Sequence, residues 1–358
     1  MKSLIQATFA IVIVCVLLIF AINKIESSSS SKTTDTITVY NWGEYIDPDV
    51  IDQFTEETGI NVIYETFDSN EAMMTKVQQG GSAYDVAVPS EYMVEKMIEE
   101  DLLLPIDHSK LPNLKNIDPY FLNLAFDPKN EYSIPYFWGT VGIVYNPNLV
   151  ADHLTFTTWE DLWDPSLKDK VFLVDGAREV IGMGLNSIGE SLNAKDDTLL
   201  RQATDKLITL SPNVKAIIGD EITPLMINNE AAVALTWSGQ AADMMWENEE
   251  LDFAVPEEGS NLWFDNFVIP KTAANVEGAH AFINFMLDAE VSAQNNDYVG
   301  YSTPNKAAME LMDPEVIEDE RFYPNEALRN KLEVYKNLGL EWLGKYNEYF
   351  LEFKMSIR

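Results

Sequence analysis

After residue 35, the chain alternates between short runs of β-branched or aromatic residues and longer segments with apolar residues at helical spacing. The runs predict strands, and the longer segments predict helices that end at glycines such as Gly59 and Gly80. In the first third of the chain, strands are predicted at 37–40, 60–64 and 84–88, with helices at 50–58 and 70–79 between them. This βαβαβ order predicts a parallel, doubly wound sheet.

The same alternation returns after residue 146. The predicted strands are 171–175 and 231–237, and the predicted helices are 177–192, 199–210, 238–247, 279–287, 289–296 and 325–354. Two aromatic runs interrupt the alternation, at 134–146 and at 261–270, and each contains or follows glycines. We interpret them as strands that pass between two lobes, although a simple core strand is also open for 134–146. The predicted lobes are 36–141 with 264–305, and 142–263 with 306–358.

The first 35 residues do not show this alternation of strands and helices. Lys2 precedes an uncharged, mostly aliphatic stretch over 7–22, which predicts a signal or anchor segment over 1–25. Bulky Ile13 and Val14 precede Cys15, unlike a lipoprotein signal, and no clear cleavage site follows. We expect an uncleaved anchor, with cleavage as the alternative, then a polar tether over 26–35. Either form places the bulk of the protein outside the cytoplasm.

The formal net charge is −34, from 58 acidic and 24 basic residues. This charge argues against a nucleic-acid partner and favours cationic ligands, although it also serves solubility. Cys15 is the one cysteine, and the three histidines are scattered, so we expect no metal site and no cofactor. The sequence contains no recognisable catalytic set, so we expect a protein that is not an enzyme.

Candidate ligand-binding residues occur at strand ends, where open α/β sheets bind ligands. Trp42, Glu44 and Tyr45 follow the first strand, and Ser90 and Tyr92 follow the third. The alternatives are that Trp42 and Tyr45 are core aromatics, that Glu44 is solvated, and that Ser90 only caps a helix. The later candidates are Asp175, Glu179, Trp237, Trp263, Asp265 and Tyr301.

These candidates combine aromatic rings with carboxylates. Rings attract cations through their faces, and carboxylates form charge-assisted hydrogen bonds with ammonium groups. Together they favour an aliphatic amine as the ligand. Because several buried carboxylates would repel one another, we also expect the cleft to close on binding.

Several segments, in order, resemble the spermidine/putrescine-binding proteins of bacterial ABC polyamine importers, within the extracellular solute-binding proteins. They are 40–45 (YNWGEY), 88–92 (VPSEY), 132–136 (YSIPY), 177–180 (AREV), 263–265 (WFD) and 300–305 (GYSTPN). The resemblance implies a two-lobed, type II periplasmic-binding-protein-like α/β fold, a permease partner and a monomer that binds spermidine, putrescine or both. It implies an aromatic box of Trp42, Tyr45, Tyr92, Trp237, Trp263 and Tyr301, with Glu179 and Asp265 as amine ligands.

The sequence departs from this family at three positions. Gly43 stands where relatives have threonine, Gly176 where they have a second acid, and Tyr335 where they have a glutamine. We expect Asp175 to compensate for the missing acid. The choice between spermidine and putrescine stays open, and the alternative function is binding of another solute, such as an anion, a metal ion or a different organic cation.

Overall fold

The computed structural model describes residues 36–219 and 221–357, so the predicted anchor and tether lie outside the described residues. Within those ranges the chain forms nine strands and thirteen helices, which confirms the α/β class. No helix in the described part is both long enough and apolar enough to span a bilayer.

The strands are β1 (Thr36–Trp42), β2 (Asn61–Phe67), β3 (Val86–Ala87), β4 (Ser133–Tyr145), β5 (Val171–Val174), β6 (Val214–Ile218), β7 (Val233–Trp237), β8 (Asp252–Ala254) and β9 (Leu262–Val268). The helices are α1 (Pro48–Thr58), α2 (Asn70–Gln79), α3 (Glu91–Glu99), α4 (Ala177–Asn186), α5 (Asp197–Leu210), α6 (Ile222–Ile227), α7 (Ser238–Glu247), α8 (Val276–Met286), α9 (Ala289–Val299), α10 (Lys306–Met309), α11 (Pro314–Ile317), α12 (Glu326–Arg329) and α13 (Gly339–Ser356). Short 3₁₀ helices lie at His108–Lys110, Pro112–Asn116, Pro119–Phe121, Trp159–Trp163 and Pro165–Leu167.

The strands form a path in the order β2-β1-β3-β9-β4-β7-β5-β6, with β8 paired to β4. β1 is parallel to both β2 and β3, which confirms the predicted βαβαβ unit. β5 is likewise parallel to β6 and β7, so each half of the path has its own parallel set. Antiparallel β9 and β4 join the two sets.

The long strand β4 connects the two halves. Its first part, up to Thr140, pairs with β9, and its last part, from Val141, pairs with β7 and β8. This confirms that the first aromatic run passes from one half to the other. Its glycines have a packing role, since a Cβ at Gly139 would lie 2.4 Å from the Trp263 ring and one at Gly142 would lie 2.4 Å from the Phe253 ring.

Most of the second aromatic run lies in the first half of the path, because β9 pairs along the first part of β4 and with β3. At the start of the run, the Asn261 carbonyl accepts a hydrogen bond from the N–H of Val141, which belongs to the second core. Asn261 also forms a bridge with Glu333.

The halves have separate hydrophobic cores. The first core contains Ile37, Phe54, Trp138 and Phe282, and the second contains Ile143, Leu173, Leu207 and Phe353. The domain boundaries stated above stay a prediction, since the cores show which residues pack together and not where the chain divides into domains. The site described below lies where these two cores meet.

The C-terminal prediction of one helix over 325–354 was wrong. Only α12 and α13 are α-helical there, and the segment between them is irregular up to Gly339, whose φ of 77° only glycine adopts readily. Tyr335 therefore leaves the predicted helical stripe and is buried at 5% exposure. Helix α4 also ends at Asn186, six residues early, and β6 and α6 were not predicted.

Candidate ligand-binding site

The site is centred on Asp265 in β9, which is buried at 6% exposure. One of its carboxylate oxygens accepts a hydrogen bond from the Tyr45 hydroxyl at 2.7 Å, and the other accepts one from Ser90 Oγ at 2.7 Å. Tyr45 follows β1 and Ser90 follows β3. The carboxyl ends of parallel strands thus bring both hydroxyls to the same carboxylate.

Ser90 is fixed by Asn70 at the start of α2. The Asn70 side chain donates to Ser90 Oγ at 3.0 Å and to the Tyr92 hydroxyl at 3.1 Å, and it accepts the Ser90 N–H at 3.1 Å. Ser90 occupies the N-cap position of α3, yet its side chain makes no capping hydrogen bond. The alternative that Ser90 only caps is therefore wrong, since its hydroxyl proton is directed at Asp265.

Aromatic rings pack around Tyr45, whose hydroxyl donates to this carboxylate. The Tyr301 ring lies 5.1 Å from the Tyr45 ring and 5.4 Å from the Trp263 ring, both edge to face. Trp237 packs against both hydrophobic cores, and Trp42 packs on Phe67 at 4.5 Å. The structure thus places Tyr45, Ser90, Trp263, Asp265 and Tyr301 in one contact network, with Trp237 at the junction of the cores.

The two halves touch at this network. A Cβ at Gly239, in α7, would lie 1.5 Å from Cε1 of Tyr301, so the tyrosine ring rests directly on the helix backbone. Next to it, the Thr140 N–H donates to Ser238 Oγ at 3.1 Å. Only glycine at position 239 permits this closed contact.

Glu179, in the first turn of α4, approaches from the second half. Burial raises its pKa, its own backbone N–H and Arg178 lower it, and Glu71 of the first half raises it. A Cβ at the neighbouring Gly176 would lie 2.1 Å from Oε2 of Glu179, so a larger residue there would shift the end of the Glu179 side chain. Gly176 therefore leaves room for the Glu179 carboxylate in this position.

Two predicted candidates are exposed acids. Asp175 is exposed and pairs with Lys354 at 2.8 Å, so its charge is already compensated. Glu44 is exposed with φ of 52°, and it contributes to the raised pKa of Asp243, although burial and Glu247 contribute more. Glu44 is thus exposed to solvent, which agrees with the alternative that it is solvated.

Acids with little solvent exposure make the site electrostatically negative. Burial raises the pKa of Asp265 to about 6, while the hydrogen bonds from Tyr45 and Ser90 lower it. Within the described ranges, none of the ion pairs involves Asp265, Glu179 or Glu91. No group of three or more His, Cys, Asp or Glu in this part of the chain is arranged to hold a metal ion. None of these three carboxylates thus forms an ion pair with a described side chain, although the charge of Arg178 lowers the pKa of Glu179 and of Glu91.

Glu91 was missed from the sequence, although it lies inside the 88–92 motif. It is fully buried in the first turn of α3, and one carboxylate oxygen accepts the Phe264 N–H at 2.9 Å, whereas the other has no partner. Burial raises its pKa to about 8. Because Phe264 lies between Trp263 and Asp265, Glu91 positions the part of β9 that carries both.

Asn70 and Glu71 were missed too. Both follow β2 directly, and β2 is parallel to β1, so the rule used for Trp42 and Ser90 would have found them. Glu71 accepts a hydrogen bond from the Tyr92 hydroxyl at 3.4 Å.

Two α/β halves that meet over a buried carboxylate and a ring of aromatic side chains define a two-lobed ligand-binding protein. The sequence model of the bacterial extracellular solute-binding proteins matches residues 49–324, so the chain belongs to this family. This confirms the predicted family and fold.

Individual relatives support the same family assignment. The spermidine/putrescine-binding periplasmic protein of Salmonella typhimurium is 40% identical over 329 residues, which cover 92% of this chain and 94% of the relative. The putrescine-binding periplasmic protein PotF of Escherichia coli is 36% identical, over 84% of this chain and 86% of the relative. Among solved structures, the spermidine/putrescine ABC transporter substrate-binding protein PotD of Streptococcus pneumoniae is 55% identical with a TM-score of 0.85, over 90% of this chain and 100% of that chain.

The buried carboxyl of Glu91 predicts a pH-dependent stability. Its folded-state pKa of about 8 exceeds the ordinary value of 4.5, so the folded state binds the proton more tightly and loses stability as the pH rises from 4.5 to 8. Between pH 6 and 8 we expect the free energy of unfolding to fall by about 1 kcal/mol per pH unit from this group. Urea unfolding of Glu91→Gln should show a flatter profile than wild type, whereas the exposed Glu57→Gln should not. An unchanged slope in Glu91→Gln would contradict the assignment.

Proposed function

We propose that this protein is the extracytoplasmic substrate-binding component of an ABC importer and that it binds a polyamine, spermidine or putrescine, between its two halves. The observation that carries the proposal is the buried Asp265 carboxylate, enclosed by Tyr45, Trp263 and Tyr301 and paired with no cation within the described residues. A buried carboxylate is costly without a counter-charge. An ammonium group of the ligand would supply it.

The surrounding rings favour an organic cation over an inorganic one. Each aromatic face attracts a cation by roughly 0.5 to 2 kcal/mol, and more as the site loses water, while the ring surface covers the methylene groups between the charges. The proposed ligand residues are Trp42, Glu44, Tyr45, Ser90, Tyr92, Glu179, Trp237, Trp263, Asp265 and Tyr301. Asp175 would join them only if its ion pair with Lys354 opened.

An anion fits these contacts poorly. Arg178 is the arginine nearest the motifs, and its guanidinium group stacks on the Tyr335 ring at 4.1 Å and donates to the Asn193 side chain at 2.9 Å. The carboxylates of Asp265 and Glu179 would repel an anion. The relatives named for spermidine and putrescine support the same choice of ligand.

The rest of the proposal concerns the membrane partner, the oligomeric state and the location of the protein. The protein would bind without catalysis and deliver its ligand to a membrane permease, as a monomer tethered to the outer face of the cytoplasmic membrane by its N-terminal segment. The relatives named as periplasmic binding proteins support this location.

Isothermal titration of the full-length protein in mild detergent tests the ligand class. We expect heat from micromolar spermidine or putrescine and none from sulfate, because the buried groups are acids. Binding of sulfate without binding of either polyamine would reject the proposal.

Asp265→Asn should weaken polyamine binding by about 1.5 to 3 kcal/mol, the usual contribution of a hydrogen bond to a charged group. The matched control is Asp175→Asn, which removes an acid that is already paired with Lys354 and should leave the affinity within a factor of about two. A comparable loss in Asp175→Asn would show that its ion pair opens on binding, and an unchanged affinity in Asp265→Asn would remove Asp265 from the site.

Gly239→Ala tests closure of the halves. The added methyl group would displace the Tyr301 ring, so we expect polyamine affinity to fall roughly tenfold or more. Gly344→Ala in α13 is the matched control, since a Cβ there meets no atom within 4 Å and should stabilise the helix by about 0.5 to 1 kcal/mol without changing affinity. Equal affinities in both variants would show that the Tyr301 contact with α7 is not part of the bound state.

A further inference from the structure

One amide side chain, that of Asn70, is hydrogen-bonded to two hydroxyl groups of the site. Asn70 is the first residue of α2 and is buried at 4% exposure. Its Oδ1 accepts the Ser90 N–H at 3.1 Å, and its Nδ2 donates to Ser90 Oγ at 3.0 Å and to the Tyr92 hydroxyl at 3.1 Å. Because Ser90 and Tyr92 stand at the start of α3, the amide joins the first turns of two helices.

The backbone fixes the orientation of this amide. The Ser90 N–H can only donate, so the oxygen of the Asn70 amide must face it and the nitrogen must face the two hydroxyls. An amide nitrogen can only donate in turn, so both hydroxyls accept from it and their own protons must point elsewhere. Asn70 therefore decides the direction of two protons that would otherwise rotate freely with their hydroxyl groups.

Both of these protons are directed at carboxylates. The Ser90 hydroxyl donates to Asp265 at 2.7 Å, and the Tyr92 hydroxyl donates to Glu71 at 3.4 Å. Asp265 accepts a second hydrogen bond from the Tyr45 hydroxyl at 2.7 Å. Hydrogen bonds donated to a carboxylate favour its ionised form, so the amide helps to keep Asp265 charged through Ser90.

We propose that Asn70 is a positioning residue for polyamine binding: it directs the protons of the Ser90 and Tyr92 hydroxyls towards acids and thereby keeps the Asp265 carboxylate ready for an ammonium group. This inference rests on the function proposed above and adds a residue that acts through Ser90 rather than on the ligand. Without the amide nitrogen, the Ser90 hydroxyl is free to rotate, and Asp265 loses one of its two donors for part of the time.

The protonation of Asp265 offers a readout that a purely structural role of Asn70 would not change. Burial raises the pKa of Asp265 to about 6, while the hydrogen bonds from Tyr45 and Ser90 lower it. The other titratable groups that interact with this carboxyl are Tyr136 and Glu91. Loss of the Ser90 donor should raise the pKa of Asp265, so that protonation competes with a cationic ligand at a higher pH.

The first test is a double-mutant cycle, measured by calorimetric titration of the full-length protein with spermidine or putrescine, whichever the wild type binds. We expect Asn70→Ala to weaken binding about fivefold and Ser90→Ala about tenfold. Because Asn70 acts through Ser90, the double variant should bind about as weakly as Ser90→Ala, whereas independent effects would multiply to about fiftyfold. A multiplied loss in the double variant would overturn the proposal.

The second test is the pH profile of binding. Wild-type affinity should fall as the pH is lowered through about 6, and in Asn70→Ala the fall should begin about half a pH unit higher. An unshifted profile in Asn70→Ala would contradict the positioning role.

A third variant keeps the shape of the side chain. Asn70→Asp retains an acceptor for the Ser90 N–H but replaces the donor with a second acceptor, so both hydroxyls would turn towards it. It should bind the polyamine about tenfold more weakly, although its added negative charge alone would favour a cation. Equal or tighter binding by Asn70→Asp would overturn the proposal.

The matched control is Asn213→Ala. Asn213 is also a buried asparagine, at 6% exposure, and its amide nitrogen donates to the carbonyls of Leu162 and Asp164 at 2.9 Å each. Its loss should lower the stability of the protein but leave the affinity and the pH profile at their wild-type values. An equal loss of affinity in Asn213→Ala would indicate general destabilisation and overturn the positioning role. Each of these negative results would leave the proposed function intact, whereas a protein that binds no polyamine would overturn both.

Discussion

The burial of the Asp265 carboxylate is the constraint on which the site depends. It sits on a strand between two halves, at 6% exposure, and its protein partners are two hydroxyl groups and no cation. Hydroxyl donors reduce the cost of burying a charge, but they do not remove it, which is why the pKa of this carboxyl remains raised. The arrangement is therefore suited to a ligand that brings positive charge.

The burial of Asp265 also links the charge of the ligand to the closure of the two halves. Tyr301 belongs to the wall around Asp265, and its ring also rests on Gly239 of the opposite half. Bringing the halves together thus removes water from the carboxylate and encloses it with aromatic faces. Closure alone raises the cost of the buried charge, whereas closure around a cation lowers it. A ligand with this differential effect would shift the equilibrium towards the closed form, which is the closure that we expect on binding.

The sequence predicted the structural features that depend on hydrophobic periodicity and on the order of the strands. Strand ends located Trp42, Tyr45, Ser90 and Tyr92, because parallel strands must deliver their carboxyl ends to one edge of the sheet. Prediction from the sequence failed for side chains whose positions depend on tertiary contacts. The hydroxyl direction of Ser90 is decided by Asn70 and Asp265, and the partner of Asp175 is a lysine 179 residues away. Tyr335 lies in an irregular segment, where its ring stacks on Arg178. Glu91 has the spacing of an ordinary first-turn acid, and nothing local indicates that its side chain turns inward.

The pairing of charges bears on which polyamine the cleft prefers. Asp175 is paired with Lys354, and Glu91, with a pKa of about 8, is largely protonated near neutral pH. The acids left for the ligand are therefore the buried Asp265 and the half-buried Glu179. Two carboxylates match the two charges of a diamine. The third charge of a triamine would meet exposed acids such as Glu44, where water screens the attraction and each pair contributes less than about 1 kcal/mol. Charge alone therefore separates diamine from triamine weakly in this cleft, and the fit of the ligand's carbon chain between Asp265 and Glu179 becomes the larger determinant.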